Sequence, residues 1–313
     1  MKALVTGGAG FIGSHLVENL LSGGWEVTVL DDFSSGTKES LDAVLGNKKL
    51  RIVHGNVFDV NVVGNCFAEV DACFHLAAVV SNIKSLENPR MVNDVNVGGT
   101  ITLLDGARKA DVDRFVFASS CAVYGEAPTV PIKEDTPLAP RTPYAASKAA
   151  AEQYCMAFYR TYGIGVTCLR YANVYGPRGS VGPYSGVIVQ FAQRFIGDQP
   201  ALIYGDGKQT RDFIYSTDVA EASILATQSS TARGTIINVG TGVGSSINEL
   251  AALVAKALGK THLGVVTTEP RPSEIRFSQL DTAAAKRILG FEPKVGLEEG
   301  IKNFVKWYAS QKR

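Results

Sequence analysis

The sequence predicts an α/β fold: a doubly wound parallel sheet with a smaller mixed α/β lobe after it. Three observations carry this. Short β-branched runs at 2–6, 26–30, 51–53, 72–76, 114–118 and 166–170 alternate with longer helical patterns. Strands joined by crossovers run parallel and need helices over both faces, and segments 11–22, 96–110 and 144–162 are the candidates for that cover. After Arg170 the texture changes to Gly/Pro-rich segments such as Gly176-Pro177-Arg178-Gly179 and Gly182-Pro183-Tyr184, with shorter elements between wider loops. Residues 1–170 are therefore read as the larger domain and 171–313 as the smaller lobe. The helix-plus-strand pair 216–228 and 235–239 is expected to rejoin the first domain, over about 212–240.

Composition narrows the partners. The 313 residues are 45% hydrophobic and 19% charged, enough to bury a large core without disulfide staples. Lys and Arg number 31 against 30 Asp and Glu, and no basic block is present, so a nucleic-acid polymer is not an expected partner. The five cysteines show neither CxxC nor Cys/His spacing, so no metal site is expected and reduced thiols are. No signal-peptide pattern opens the chain and no stretch of eighteen apolar residues follows, which predicts a cytoplasmic protein without a membrane partner.

The first strand runs into Thr6-Gly7-Gly8-Ala9-Gly10-Phe11-Ile12-Gly13 and then into a helix. The spacing Gly7-x-x-Gly10-x-x-Gly13 allows a tight turn and close approach of a pyrophosphate to backbone, while Phe11 and Ile12 begin a helix whose unpaired N–H groups favour anions. This is the dinucleotide-binding form of the doubly wound sheet, the Rossmann fold. The second strand ends at Asp31, eighteen residues after Gly13, where a carboxylate can accept hydrogen bonds from ribose hydroxyls and would repel a 2′-phosphate. No Arg or Lys occupies Asp32-Phe33-Ser34-Ser35-Gly36, so NAD is favoured over NADP, with Asp32, Ser34, Ser35 and Gly36 as further cofactor contacts. For Asp32 a solvated loop carboxylate is an equal reading. Tyr144 and Lys148, four apart at the start of a helix, share one face. A phenol is a poor base at neutral pH, but a neighbouring ammonium and a nicotinamide cation both favour phenolate, so the pair is a candidate acid/base unit.

The glycine turn, His75-Leu76-Ala77-Ala78 closing the fourth strand, Ser119-Ser120-Cys121-Ala122-Val123-Tyr124-Gly125 after the fifth, and the Tyr144/Lys148 pair together resemble the extended short-chain dehydrogenase/reductase superfamily. Within it the chain is similar to the NAD-dependent epimerase/dehydratase family. Its downstream motifs are present as Arg170-Tyr171-Ala172-Asn173-Val174-Tyr175-Gly176-Pro177, Tyr204-Gly205-Asp206-Gly207-Lys208-Gln209-Thr210-Arg211-Asp212-Phe213 and Arg271-Pro272. The resemblance implies that Ser120, Tyr144 and Lys148 are catalytic, with Ser120 bonding the reacting sugar oxygen and Tyr144 moving its proton. It also implies that Asn56, Val57, Leu76, Ala77, Ala78, Val80, Ser119, Tyr171 and Ala172 line the cofactor. Ser81, Asn173, Arg211, Arg271, Glu274 and Ser278 would contact a UDP-sugar, the two arginines clamping its diphosphate.

Departures from the family pattern bear on the reaction. Dehydratases usually carry Glu one place before the Val-Tyr-Gly and often Asp before that; this chain has Ala122 and Cys121, which deliver no proton for elimination. The resemblance then implies a 4-epimerase acting through a transient 4-keto sugar, with hydride returned to the opposite face and NAD regenerated at each turn. Ser278 falls where the family varies between Tyr and a small residue, so room for an N-acetyl group is expected. Ser273-Glu274 replaces the usual Gly-Asp. The same Ser/Tyr/Lys unit serves net redox, so a nucleotide-sugar reductase or dehydrogenase stays as the alternative, and an NAD-binding sensor as a third reading. A homodimer through helices near 96–110 and 144–162 is also implied.

Overall fold

A computed structural model describes residues 1–179, 185–270 and 274–311. Strand β1 (Lys2–Thr6) turns through the glycines into α1 (Phe11–Ser22), followed by β2 (Glu26–Asp31) and β3 (Leu50–His54). After α2 (Val60–Cys66), β4 (Ala72–His75) leads into α3 (Asn82–Glu87), α4 (Pro89–Asn93) and α5 (Gly99–Lys109). Next come β5 (Arg114–Ser120), α6 (Pro143–Tyr162), β6 (Gly165–Tyr171), β7 (Asn173–Tyr175), α7 (Val187–Ile196), β8 (Ala201–Tyr204), β9 (Thr210–Tyr215) and α8 (Ser216–Gln228). The chain closes with β10 (Thr235–Val239), β11 (Gly244–Ser246), α9 (Ile247–Leu258), β12 (Val265–Thr268), β13 (Phe277–Ser278) and α10 (Leu297–Ser310).

The six expected strands and β10 form one seven-stranded sheet, ordered β10-β6-β5-β4-β1-β2-β3 with neighbours parallel throughout. Its seventh strand is β10, which pairs with β6 from Thr235↔Thr167 to Val239↔Tyr171. The strand order reverses between β1 and β4, which opens a crevice at their carboxyl ends, the place where open parallel sheets take ligands. One face is covered by α1 and α8, with Leu16, Val17 and Leu20 in the same core as Val219 and Ala222. The other is covered by α5 and α6, with Leu103, Leu104, Ala151 and Cys155 packed among Phe115 and Phe117.

The helix expected over 96–110 begins instead at Gly99, because a wide π-helical turn, Asp94–Gly98, precedes it. The Asn96 amide inside that turn accepts from the Val79 N–H at 2.8 Å and donates to the Val79 carbonyl at 3.1 Å and the Ser147 hydroxyl at 2.9 Å. The opened turn thus lets a helical side chain hold the loop that leaves β4.

The later chain builds a second, smaller sheet around β9, to which β7 and β13 run parallel and β11 antiparallel. A third apolar cluster lies beside it, where Phe191 and Phe195 of α7 meet Leu250 and Val254 of α9 and Phe304 of α10. Buried Asp212 in β9 accepts from the N–H groups of Thr241, Gly242 and Leu280. One carboxylate thereby ties the loop after β10 and the exit from β13 to the small sheet.

Candidate active site

The glycine turn is closely fitted. Gly7 has φ +70°, a left-handed conformation that favours glycine, and a Cβ there would lie 2.7 Å from the Ala77 nitrogen. A Cβ on Gly13 would run into the Gly7 carbonyl, so this position fixes how closely α1 approaches the turn. Gly36 abuts the Ala9 carbonyl and Gly10 nitrogen in the same way, laying the 34–37 loop over the turn. Gly10 is the N-cap of α1 and makes no side-chain cap, so the first-turn N–H groups at Phe11 and Ile12 have no capping side chain. A Cβ on Gly10 would meet only the Gly7 carbonyl, at 3.1 Å, leaving the other side open. An uncapped helix end behind an open glycine fits a pyrophosphate.

Asp31 is buried, with one oxygen accepting from Ala9 N–H and the other from Phe33 N–H, both at 2.9 Å. Burial raises its carboxyl above the ordinary range, and the two amides oppose this. This carboxylate therefore braces the glycine turn, a role with no signal in the motif. Asp32 is exposed and accepts from the Ser34 N–H and hydroxyl, and from the Asn56 amide at 3.2 Å. Ser35 is exposed beside it, and Val57 is buried beneath Asn56 against Gly99. Leu76, Ala77 and Ala78 run past the glycine turn, Val80 is exposed, and Ser81 caps α3 by accepting from Lys84 N–H. Two expected contacts have hydroxyls engaged elsewhere. The Tyr171 phenol is paired with Ser223 of α8 at 2.8 Å, and Ser119 donates to Glu152. The polar groups of the Tyr171 and Ser119 side chains are thus satisfied within the protein.

Ser120, at the end of β5, and Tyr144, in the first turn of α6, meet through their hydroxyls. Lys148 follows one turn later, only 3% exposed, donating to the Ala118 carbonyl at 2.8 Å and lying 5.0 Å from the Phe117 ring centroid. The sequence reading expects Lys148 and a nicotinamide cation together to draw Tyr144 toward phenolate. Among the protein's own groups, burial pushes the Tyr144 phenol up to about 12, opposed by the Ser120 hydrogen bond, and burial brings Lys148 down to about 8. The reason is that both groups are desolvated and the ammonium is bound to a backbone carbonyl.

On the opposite wall the small sheet gathers residues far apart in sequence. Ser278 is 6% exposed and hydrogen-bonded to the Cys121 thiol, next to Ser120. Asn173 donates to the Asp212 carbonyl at 3.2 Å, and Arg211 lies 3.6 Å from Glu274. Arg271 and Ser273, like Gly182-Pro183-Tyr184, lie outside the described residues. Beside Glu274 is a cavity of about 360 Å³ lined by Arg141, Tyr204, Gln209 and Arg276 among others. Buried Gln209 donates to the Tyr204 carbonyl at 2.9 Å and to Glu274 at 3.4 Å, while its Oε1 has no partner among the described residues.

Sequence reasoning missed Asn96, Gln209 and the buried pair Glu152–Arg170. Glu152 had a signal, being a lone carboxylate in the run Lys148-Ala-Ala-Ala-Glu152, eight residues from Tyr144 on the same face. His75, buried between the hydroxyls of Thr6 and Thr100 and pulled down to about 3 by burial, is a structural histidine. Among the described residues no cluster of potential metal ligands occurs, all five cysteines are free, and no helix is long and apolar enough to cross a membrane.

Residues 3–240 match the model of the NAD dependent epimerase/dehydratase family, and the chain belongs to that family. It is an enzyme of the extended short-chain dehydrogenase/reductase type that uses NAD and nucleotide sugars. It is 39% identical over 312 residues to a putative UDP-glucose 4-epimerase of Methanocaldococcus jannaschii, covering 99% of each chain. Among solved structures it resembles the UDP-glucose 4-epimerase of Thermotoga maritima with UDP-glucose, at TM-score 0.94 and 37% identity, over 100% of both chains. It also resembles the UDP-N-acetylglucosamine 4-epimerase of Methanobrevibacter ruminantium M1 in complex with UDP-N-acetylmuramic acid, at TM-score 0.94 and 36% identity, over 99% of this chain and 98% of that one. Other activities occur nearby: a UDP-N-acetyl-alpha-D-glucosaminuronate decarboxylase of Bacillus cytotoxicus is 35% identical, covering 98% of this chain and 97% of that one.

Proposed function

We propose that the chain is a 4-epimerase that interconverts UDP-glucose and UDP-galactose. One observation carries the reading: Ser120 and Tyr144 form a hydroxyl pair over buried Lys148, flanked by Cys121 and Ala122 where an eliminating enzyme needs carboxyls. The Cys121 thiol is itself pushed up to about 11 by burial, which makes it inert as a base.

In this reading the first-turn N–H groups of α1 hold the NAD pyrophosphate and Asp31 the adenosine ribose. NAD, when bound, takes and returns the hydride at the sugar C4 and brings a positive charge beside Tyr144. Tyr144 removes the proton from the 4-hydroxyl and later gives it back, while Ser120 holds the oxygen in place. Lys148 anchors the nicotinamide ribose. Arg211, with Arg271, clamps the diphosphate as a charge-assisted fork, and Asn173 and Glu274 bond the nucleotide. The cavity beside Glu274, with an aromatic ring at Tyr204 and the open Gln209 acceptor, takes the nucleoside end. A substrate held at that end leaves the sugar free to turn and present its other face.

The small side chain of Ser278 beside Cys121 supports tolerance of UDP-GlcNAc and UDP-GalNAc. Replacing Ser278→Tyr is expected to abolish turnover of the N-acetylated pair and spare the parent sugars. We also read α5 and α6 as a homodimer surface, because Tyr154 and Tyr162 of α6 are 43% and 54% exposed. Sedimentation velocity reporting only monomer would refute that.

The decisive experiment incubates purified protein with UDP-galactose and no added cofactor, follows UDP-glucose, and then assays NAD released on denaturation. Product without added NAD supports epimerisation. A strict requirement for stoichiometric NADPH or NAD would instead establish a reductase or dehydrogenase.

A further inference from the structure

Three successive residues at the end of β5 meet three turns of α6. The Ala118 carbonyl accepts from Lys148 at 2.8 Å, the Ser119 hydroxyl donates to Glu152 at 2.5 Å, and the Ser120 hydroxyl meets Tyr144. Residues 144, 148 and 152 are spaced by four and form one stripe of the helix. Glu152 is wholly buried and also accepts from Arg170, from Nε at 2.9 Å and from the second terminal nitrogen at 2.7 Å. The other Arg170 terminal nitrogen donates to the Tyr124 hydroxyl and the Glu134 carbonyl, both at 2.9 Å. Tyr124 in turn donates to Asn238 of β10 at 2.6 Å.

Stability does not account for such a pair. Removing two charges from water costs more than their attraction commonly returns, and an apolar pair of the same volume is often as good. What an apolar pair lacks is direction. Glu152 has both oxygens committed, so its carboxylate plane and the Ser119 side chain are fixed together, and Ser119 is bonded in sequence to Ser120.

We propose that Glu152, held by Arg170, is the positioning residue of the Ser120–Tyr144–Lys148 group: it locks the end of β5 to α6 through Ser119 and keeps a fixed negative charge one turn from Lys148. The inference rests on the reading of those three residues as the reacting group. It has a second consequence, in pH dependence. Lys148 faces Tyr144, Glu152 and Cys155 on its own helix and His75 on β4, and behind Glu152 stand Arg170 and Cys168 of β6 and the Tyr124 phenol. Burial lowers Lys148, and Cys155 and the Glu152 carboxylate oppose that lowering. Neutralising Glu152 takes away its share of the opposition and leaves the Arg170 cation in place, so Lys148 loses its proton at lower pH.

Two variants test this in the NAD-loaded enzyme, with turnover expressed per bound NAD and folding checked by circular dichroism and melting temperature. Ser119→Ala removes one hydrogen bond and is expected to lower kcat about fivefold at unchanged KM and unchanged pH limbs. Glu152→Gln is expected to lower kcat by about thirtyfold or more, again at unchanged KM, and to move the alkaline limb of kcat toward lower pH. Parent kcat in Ser119→Ala, or a parent alkaline limb in folded Glu152→Gln, would overturn the proposal. If Glu152→Gln does not fold, Ser119→Ala decides alone. Tyr144→Phe separates the underlying reading: activity surviving in it sinks that reading and this inference together, whereas its loss beside an unaffected Ser119→Ala sinks the positioning role only.

Discussion

The glycine turn and the small sheet are built on opposite principles. At the turn, backbone is fitted against backbone: Gly7 against Ala77, Gly36 against Ala9, and the Asp31 oxygens both bound to N–H groups. The small sheet leaves polar side chains open, with the Gln209 Oε1 unpartnered and Arg211 no closer than 3.6 Å to Glu274. A rigid cradle suits a cofactor that stays. An open set of side chains suits a substrate that enters, is held at one end and leaves, because its groups complete hydrogen bonds that the protein alone does not.

The comparison can be broken most directly at Gly13. Its Cβ would collide with the Gly7 carbonyl, so Gly13→Ala is expected to cost about 3 kcal/mol in stability and to yield protein without retained NAD, measured by melting and cofactor release. Retention of NAD at parental stability would mean the turn is not rigid. On the open side, Arg211→Ala is expected to raise KM for the nucleotide sugar about thirtyfold without loss of bound NAD, as seen in steady-state kinetics.

Acid distinguishes the regions next. His75, beneath the cofactor crevice, is held neutral with a value near 3, against an ordinary 6.5. Since the unfolded chain binds the proton first, stability falls as pH drops below 6.5, and His75 alone accounts for about 2 kcal/mol between neutrality and pH 5. His15, lowered to about 4 by burial and by Arg178, acts in the same direction. Melting curves unchanged from pH 7.5 to 5 would contradict this. The smallest effect is expected at Gln209, where Gln209→Met should weaken UDP binding about fivefold by calorimetry while NAD content stays at the parent level.

How much of this was legible in the sequence follows the same division. The glycine turn, Asp31 and the Tyr144/Lys148 spacing are local patterns, and each appears in the structure where a strand end or helix start puts it. The six strands were readable because buried parallel strands are short apolar runs. The π-helical turn at Asp94–Gly98 was not, because it depends on Asn96 meeting Val79, a contact made only in the folded chain. Nor was the raised Tyr144 phenol, because a helical spacing carries no information about desolvation.

By itself, then, the sequence determined the doubly wound sheet, the place of the dinucleotide turn and the identity of the residues at its mouth, since these rest on spacing within a strand, a turn or a helix. Only the tertiary structure decided that Ser278 touches Cys121, that Arg211 and Glu274 converge, and that Glu152, Arg170 and Ser119 form one buried group. Those contacts join segments tens to more than a hundred residues apart. Their geometry comes from sheet order and packing, which no local periodicity encodes.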